Sequence, residues 1–132
     1  MANTTYKELW DAFEPIASFD DYDMPTTVDG RRKLITTAVK TYNQKLFAEL
    51  KCDNVLDQVS EKMEDRNINL LVNCMRLQVC RNIYSEFTTT YSIFKNDLAF
   101  KDYKAQLDGR QFLINDQEKI VDAIVFSLSE DY

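Results

Sequence analysis

The stretch from Ile68 to Phe94 constrains this chain more than any other, because at a helical period it is apolar on two sides. One stripe runs Ile68, Val72, Met75, Val79 and Ile83. A second, at intervals of seven, runs Leu70, Leu77, Tyr84 and Tyr91 on the opposite side. A surface helix needs one apolar stripe, whereas two demand neighbours on both sides. The stretch therefore predicts the central helix of a bundle, or a helix shared between a bundle and another molecule. Its length would be roughly 40 Å. Leu70, Leu77, Tyr84 and Tyr91 are the expected contacts with other subunits or a partner; core packing within one chain is the other reading of each.

Two glycines and two prolines in 132 residues are too few for the turns of an all-β protein. The expected fold is all-α, a bundle of three long helices with a short N-terminal helix and room for a short extra one. It would form a single domain over 1–132, with the first helix and an acidic arm in 1–25, the bundle in 26–128 and an acidic tail in 129–132.

Thr5-Tyr6-Lys7-Glu8 fits a capping box, in which the Thr hydroxyl accepts from a backbone N–H and Glu reaches back. The first helix would run to about Phe13, with Tyr6, Leu9, Trp10 and Phe13 on one side, and Pro15 would close it. Residues 14–27 read as a connection, acidic at Asp20, Asp21 and Asp23, whose Phe19 and Tyr22 suggest a loop lying against something. After Pro25, Thr26 or Thr27 would cap a second helix running to about Lys51, with Val28, Ile35, Val39, Tyr42, Leu46 and Leu50 on one face. Gly30 weakens its first turn, at about 1 kcal/mol relative to Ala. Cys52-Asp53-Asn54 marks a turn. Asp53 or Asn54 would then cap a helix bearing Val55, Leu56, Val59 and Met63, either separate or forming the first turns of the central one. Lys95-Asn96-Asp97 is the next turn. The last helix would span about Leu98 to Leu128 and cross Asp108-Gly109 without turning, since Tyr103 and Leu107 share a phase with Ile114, Val121, Val125 and Leu128. Phe112 and Phe126 fall off that face and are expected to meet another subunit or a partner; isolated exposed aromatics are the other reading of each.

Chemistry is sparse. The chain has no histidine, which removes the usual general base, the Ser–His and Cys–His pairs, and most zinc and iron sites. Two glycines cannot build a phosphate-binding loop. A calcium loop started at Asp20 would place Pro25 and Arg31 where a glycine and a closing Glu are required, so that reading fails. Glu86, on the side of Ile68 and Met75, calls for a structural partner such as Arg76, Arg81 or a neighbouring chain. The expectation is no enzyme, no metal and no cofactor. Cys52, Cys74 and Cys80 form no C-x-x-C pair and read as small buried hydrophobes in a reducing compartment. A net charge of −6 opposes long-range attraction to DNA, and Arg31-Arg32-Lys33 reads as a solvated face. A helix-turn-helix around Leu50 to Val59 would lead into an acidic helix, unsuited to a major groove. No apolar run reaches membrane-spanning length and the N-terminus lacks a signal-peptide pattern, so no membrane partner is expected.

Leu34-Ile35-Thr36-Thr37-Ala38-Val39 opens a long helix, the extended central helix follows, and Phe100-Lys101-Asp102-Tyr103-Lys104-Ala105-Gln106-Leu107 leads into an apolar C-terminal helix. In a small acidic chain this order, over about Thr26 to Leu128, resembles the helical head-to-tail connector (adaptor) proteins of tailed bacteriophages. The resemblance implies a ring of many copies, commonly a dodecamer, bound beneath the portal and extending the DNA channel towards the tail. Its partners would be itself, the portal protein and a tail or head-closure protein, with DNA only as non-specific channel contents. The protein would reside in the virion, and in the host cytoplasm during assembly. No catalytic residues carry over. The acidic 14–27 segment departs from a compact bundle and would be a docking arm or a loop. The competing expectation is a small acidic helical regulatory protein that binds and inhibits a protein partner. A DNA-binding regulator ranks third.

Overall fold

The computed structural model describes residues 2–94 and 100–130, with side chains described over 2–90 and 102–129. In chain order these residues form α1 (Tyr6–Ala17), a single 3-10 turn at Asp21–Asp23, α2 (Val28–Leu46), a two-stranded hairpin of β1 (Cys52–Asp53) and β2 (Gln58–Val59), α3 (Asp65–Phe94) and α4 (Phe100–Glu130). The architecture is the all-α bundle of three long helices behind a short leading one. α3 is its centre and packs against α1, α2 and α4. Val72, Met75 and Val79 of one stripe, and Leu70 and Leu77 of the other, are each at most 2% exposed. Ile68, Ile83 and Tyr84 are half-buried against the same core. Neighbours within the chain therefore close both stripes over this part of the helix. The Tyr91 side chain and the turn expected at Lys95-Asn96-Asp97 lie outside the described residues.

α1 starts as its capping pattern predicts, with the Thr5 hydroxyl accepting from the Glu8 N–H at 3.1 Å. It does not stop at Pro15 but continues to Ala17. Proline removes one intrahelical donor, yet Phe13 and Ala17 are buried on either side of it. The helix ends at Ser18 in the left-handed region (φ 52°), and the Arg76 Nε donates to the Ile16 carbonyl at 3.1 Å. Packing outweighs the local break.

α2 is capped by Thr27, whose hydroxyl accepts from the Gly30 N–H at 3.0 Å. A Cβ on Gly30 would come within 3.0 Å of that hydroxyl and 3.1 Å of Pro25 Cβ. The glycine thus serves the cap instead of fraying it. The helix ends at Leu46, short of the expected Lys51, because Phe47 turns left-handed (φ 54°). Asn43 then brackets the extended chain: its Nδ2 donates to the Leu50 carbonyl at 2.9 Å and its Oδ1 accepts from the Leu50 N–H at 3.0 Å. Leu50 is buried, as its apolar phase suggested, but from a loop.

The helix expected over Val55 to Met63 is replaced by the hairpin. Asp53 Oδ1 accepts from both the Val55 and Leu56 N–H groups, at 2.9 and 3.0 Å, a local alternative to helix that Asp offers readily. Asp57 takes a left-handed conformation (φ 51°) and pairs with Arg32 at 2.8 Å; that guanidinium holds the carboxyl below its ordinary range. Val59 and Met63 are buried, while Val55 and Leu56 are exposed. The hairpin also receives the N-terminus: Val59 N–H donates to the Thr4 carbonyl at 2.9 Å, and Met63 N–H to the Thr4 hydroxyl at 2.8 Å.

α4 crosses Gly109 as one helix, in the phase expected. Glycine here destabilises a helix by about 1 kcal/mol relative to Ala, and a Cβ added to Gly109 would meet nothing within 4 Å. Among the described residues no contact inside the subunit requires it. Among the described residues no helix is long and apolar enough to cross a membrane.

Candidate interaction surface

The rotation of α4 about its own axis decides which side chains face outward, and a buried polar node lies on its inward side together with Ile114, Val121 and Leu128. Gln117 is 1% exposed. Its Nε2 donates to the carbonyl and to Oδ1 of Asn73, both at 3.1 Å, and its Oε1 accepts from Arg76. Arg76 also lies over the Phe19 ring at 5.2 Å, so the node ties the end of α1, the loop after it, α3 and α4 together. Phe19 is the loop aromatic that lies against the bundle; Tyr22 is 83% exposed. Further along, Arg81 pairs with Glu118 at 3.2 Å and Lys45 with Asp122 at 2.7 Å. Phe87 stacks on Tyr103, with Arg110 over the Phe87 ring at 3.9 Å.

With Ile114, Gln117, Val121 and Leu128 turned inward, the opposite side of α4 faces out. Phe112 is 67% and Phe126 66% exposed there, and Leu113 and Ile120 are half-covered at its edge. Phe112 and Phe126 are large apolar side chains left open on the same helix, with Asp116, Lys119 and Ala123 exposed between them, and exposed apolar surface of this kind marks interaction sites.

The expected contact residues therefore separate. Phe112 and Phe126 stand on the outer face. Leu70 and Leu77 are each 0% exposed and sit in the core of one chain, where no second molecule reaches them in this conformation. Tyr84 is half-buried against that core. Glu86, expected on a buried side, is exposed, and the two arginines proposed as its partners bond to α1 and α4 instead. The basic cluster is partly committed as well: Arg32 pairs with Asp57 and Asp29, and Arg31 lies over Trp10 at 4.9 Å.

Sequence reasoning missed Phe47, which is 95% exposed at the end of α2, and assigned Val55 and Leu56 to a helix face. Phe47 occupies the left-handed position where glycine is preferred. Phe47→Gly is expected to stabilise the chain by about 1 kcal/mol. A thermal melt should then rise by about 3–5 °C, and an unchanged or lower midpoint would show that Phe47 makes compensating contacts.

Burial disfavours the thiolate form of all three cysteines. Burial pushes the Cys74 thiol up to about 12 and raises Cys80 and Cys52 as well. Because the thiolate is the nucleophile, alkylation of the native chain should be slow. Cys52 should react first, and Cys74 and Cys80 only as fast as the chain unfolds, as read by mass spectrometry with and without denaturant. Rapid native labelling of Cys74 would contradict its burial.

A model of the YomZ prophage protein family matches residues 1–130. Over 129 residues, 98% of each chain, the sequence is 25% identical to the SPbeta prophage-derived uncharacterized protein YomZ of Bacillus subtilis (strain 168). No solved structure matches it.

Proposed function

We propose, for a chain that belongs to the YomZ prophage protein family and so is of phage origin, a non-catalytic role as a structural protein of the phage particle. It works by binding other proteins through the outer face of α4. The observation that carries this reading is the exposure of Phe112 and Phe126 on a helix whose other side is a closed core. The absence of histidine from the sequence and the raised thiols favour binding over catalysis.

The narrower form of this role is a neck ring on the portal, joined to a tail or head-closure protein. The contacts expected for it drew on Leu70, Leu77, Tyr84 and Tyr91 of α3 and on Phe112 and Phe126 of α4; Leu70 and Leu77 are enclosed, whereas Phe112 and Phe126 are exposed. A ring needs two unlike, complementary patches, for which the exposed tips at Phe47 and Val55–Leu56 are the candidates.

A photo-cross-linking residue at position 112, in a host producing the phage, tests the reading together with the protein content of purified particles. The expected result is a chain present in particles and cross-linked to a structural phage protein, with the portal as target in the neck form. Absence from particles, with cross-links to a host protein, would replace this reading by that of an acidic inhibitor, which the net charge of −6 favours.

A further inference from the structure

We infer that the outer face of α4 pairs with the same face of a second copy of this chain, antiparallel, about a two-fold axis passing between positions 117 and 118. The inference rests on the reading of that face as the docking surface and names its occupant. Gly109, Phe112, Asp116, Lys119, Ala123 and Phe126 follow one another at alternating steps of three and four, the spacing of a coiled-coil seam. All six are exposed. At 100° per residue this seam lies roughly 165° from the side of α4 that packs on the bundle, so the bodies of two subunits would stay clear of each other.

The seam is complementary to itself in one antiparallel register. Setting Asp116 against Lys119 of the second copy brings Phe112 onto the second copy's Ala123, and Phe126 onto its Gly109. By symmetry each pairing occurs twice, so two opposite-charge pairs lie at the centre and four phenylalanines meet small residues outside them. Leu113 of each copy falls beside Ile120 of the other along the edge nearer the core, where both are half-covered in the lone chain.

Other arrangements lose this match. A shift by one heptad sets Lys119 against Gly109 and Phe112 against Asp116, or Asp116 against Phe126. A parallel pairing in register sets aspartate on aspartate and lysine on lysine. Polar residues in a seam commonly specify register and orientation in this way. The pairing also gives Gly109 a purpose that the isolated subunit lacks, since a Cβ there meets nothing of its own chain within 4 Å yet would occupy the socket for Phe126 of the second copy.

Sedimentation equilibrium of the full chain tests the pairing. The expected species is a dimer at twice the 15.5 kDa of the chain. Asp116→Lys and Lys119→Asp should each weaken it by about tenfold or more, because each sets like charges together. The combined swap should restore it to within about threefold, a recovery that damage to the fold would not produce. Gly109→Leu should weaken the dimer while leaving the monomer at least as stable to heat. A wild-type chain that stays monomeric would overturn the inference, as would self-association indifferent to both single reversals. A monomer that still cross-links a phage protein through position 112 would overturn the self-pairing alone and leave the docking role standing.

Discussion

Leu77→Ala is expected to lower the unfolding free energy by about 2–5 kcal/mol, the range for truncating a buried leucine into a core that cannot collapse around the gap. Leu77 is 0% exposed on α3, the helix that the other three surround. A loss arising inside one subunit is the same at every protein concentration, whereas one arising at a subunit interface is largest at high concentration and fades on dilution, where wild type dissociates too. Urea denaturation of wild type and variant at high and low concentration separates the two. Phe112→Ala supplies the contrast: on the monomer its effect should stay within about 0.5 kcal/mol. A Leu77→Ala penalty that depended strongly on concentration would return this residue to the seam between subunits for which its heptad spacing first suggested it.

The second large effect is expected at the polar node. Gln117→Leu keeps the side-chain volume but removes the acceptor for Arg76 and the donor to Asn73. Leaving a guanidinium N–H and a carbonyl without partners in a covered site costs about 2–4 kcal/mol in total. Gln117→Glu retains an acceptor for Arg76 and should lose less. Hydrogen exchange adds a reading that chemical denaturation lacks: since Arg76 also bonds to the Ile16 carbonyl, amides in the last turn of α1 should lose protection in the leucine variant. Full stability in Gln117→Leu would show that apolar packing alone orients α4.

Much of this architecture was legible in the sequence, for identifiable reasons. The Thr5 cap, the length of α3 and the unbroken course of α4 through Gly109 are written in local chemistry and in phase. What escaped depends on contacts between distant residues or on competing local bonds. Nothing near Leu46 announces that Asn43 will hold Leu50 by both ends of its amide. Val55 and Leu56 look like a helix face until the Asp53 carboxylate takes both of their N–H groups. Pro15 is a stop signal that burial of Phe13 and Ala17 overrides. At the candidate surface, Phe112 and Phe126 were legible because they are large apolar residues out of phase with their helix. Leu70 and Leu77 lie in the core of one chain, one of the two readings open to them, because periodicity reports that a stripe is covered without saying whose side chains cover it.

The way the ends of the chain are tied has a consequence for biosynthesis. Thr4 is held by Val59 and Met63, and the last turn of α1 by Arg76, itself held by Gln117. A ribosome makes the chain from the N-terminus, so the first helix emerges long before any of its anchors exist. It must wait, apolar face uncovered, while α3 and α4 are translated. Within this span α1 is thus made before the helices that cover it, and its apolar face stays open to aggregation until they follow.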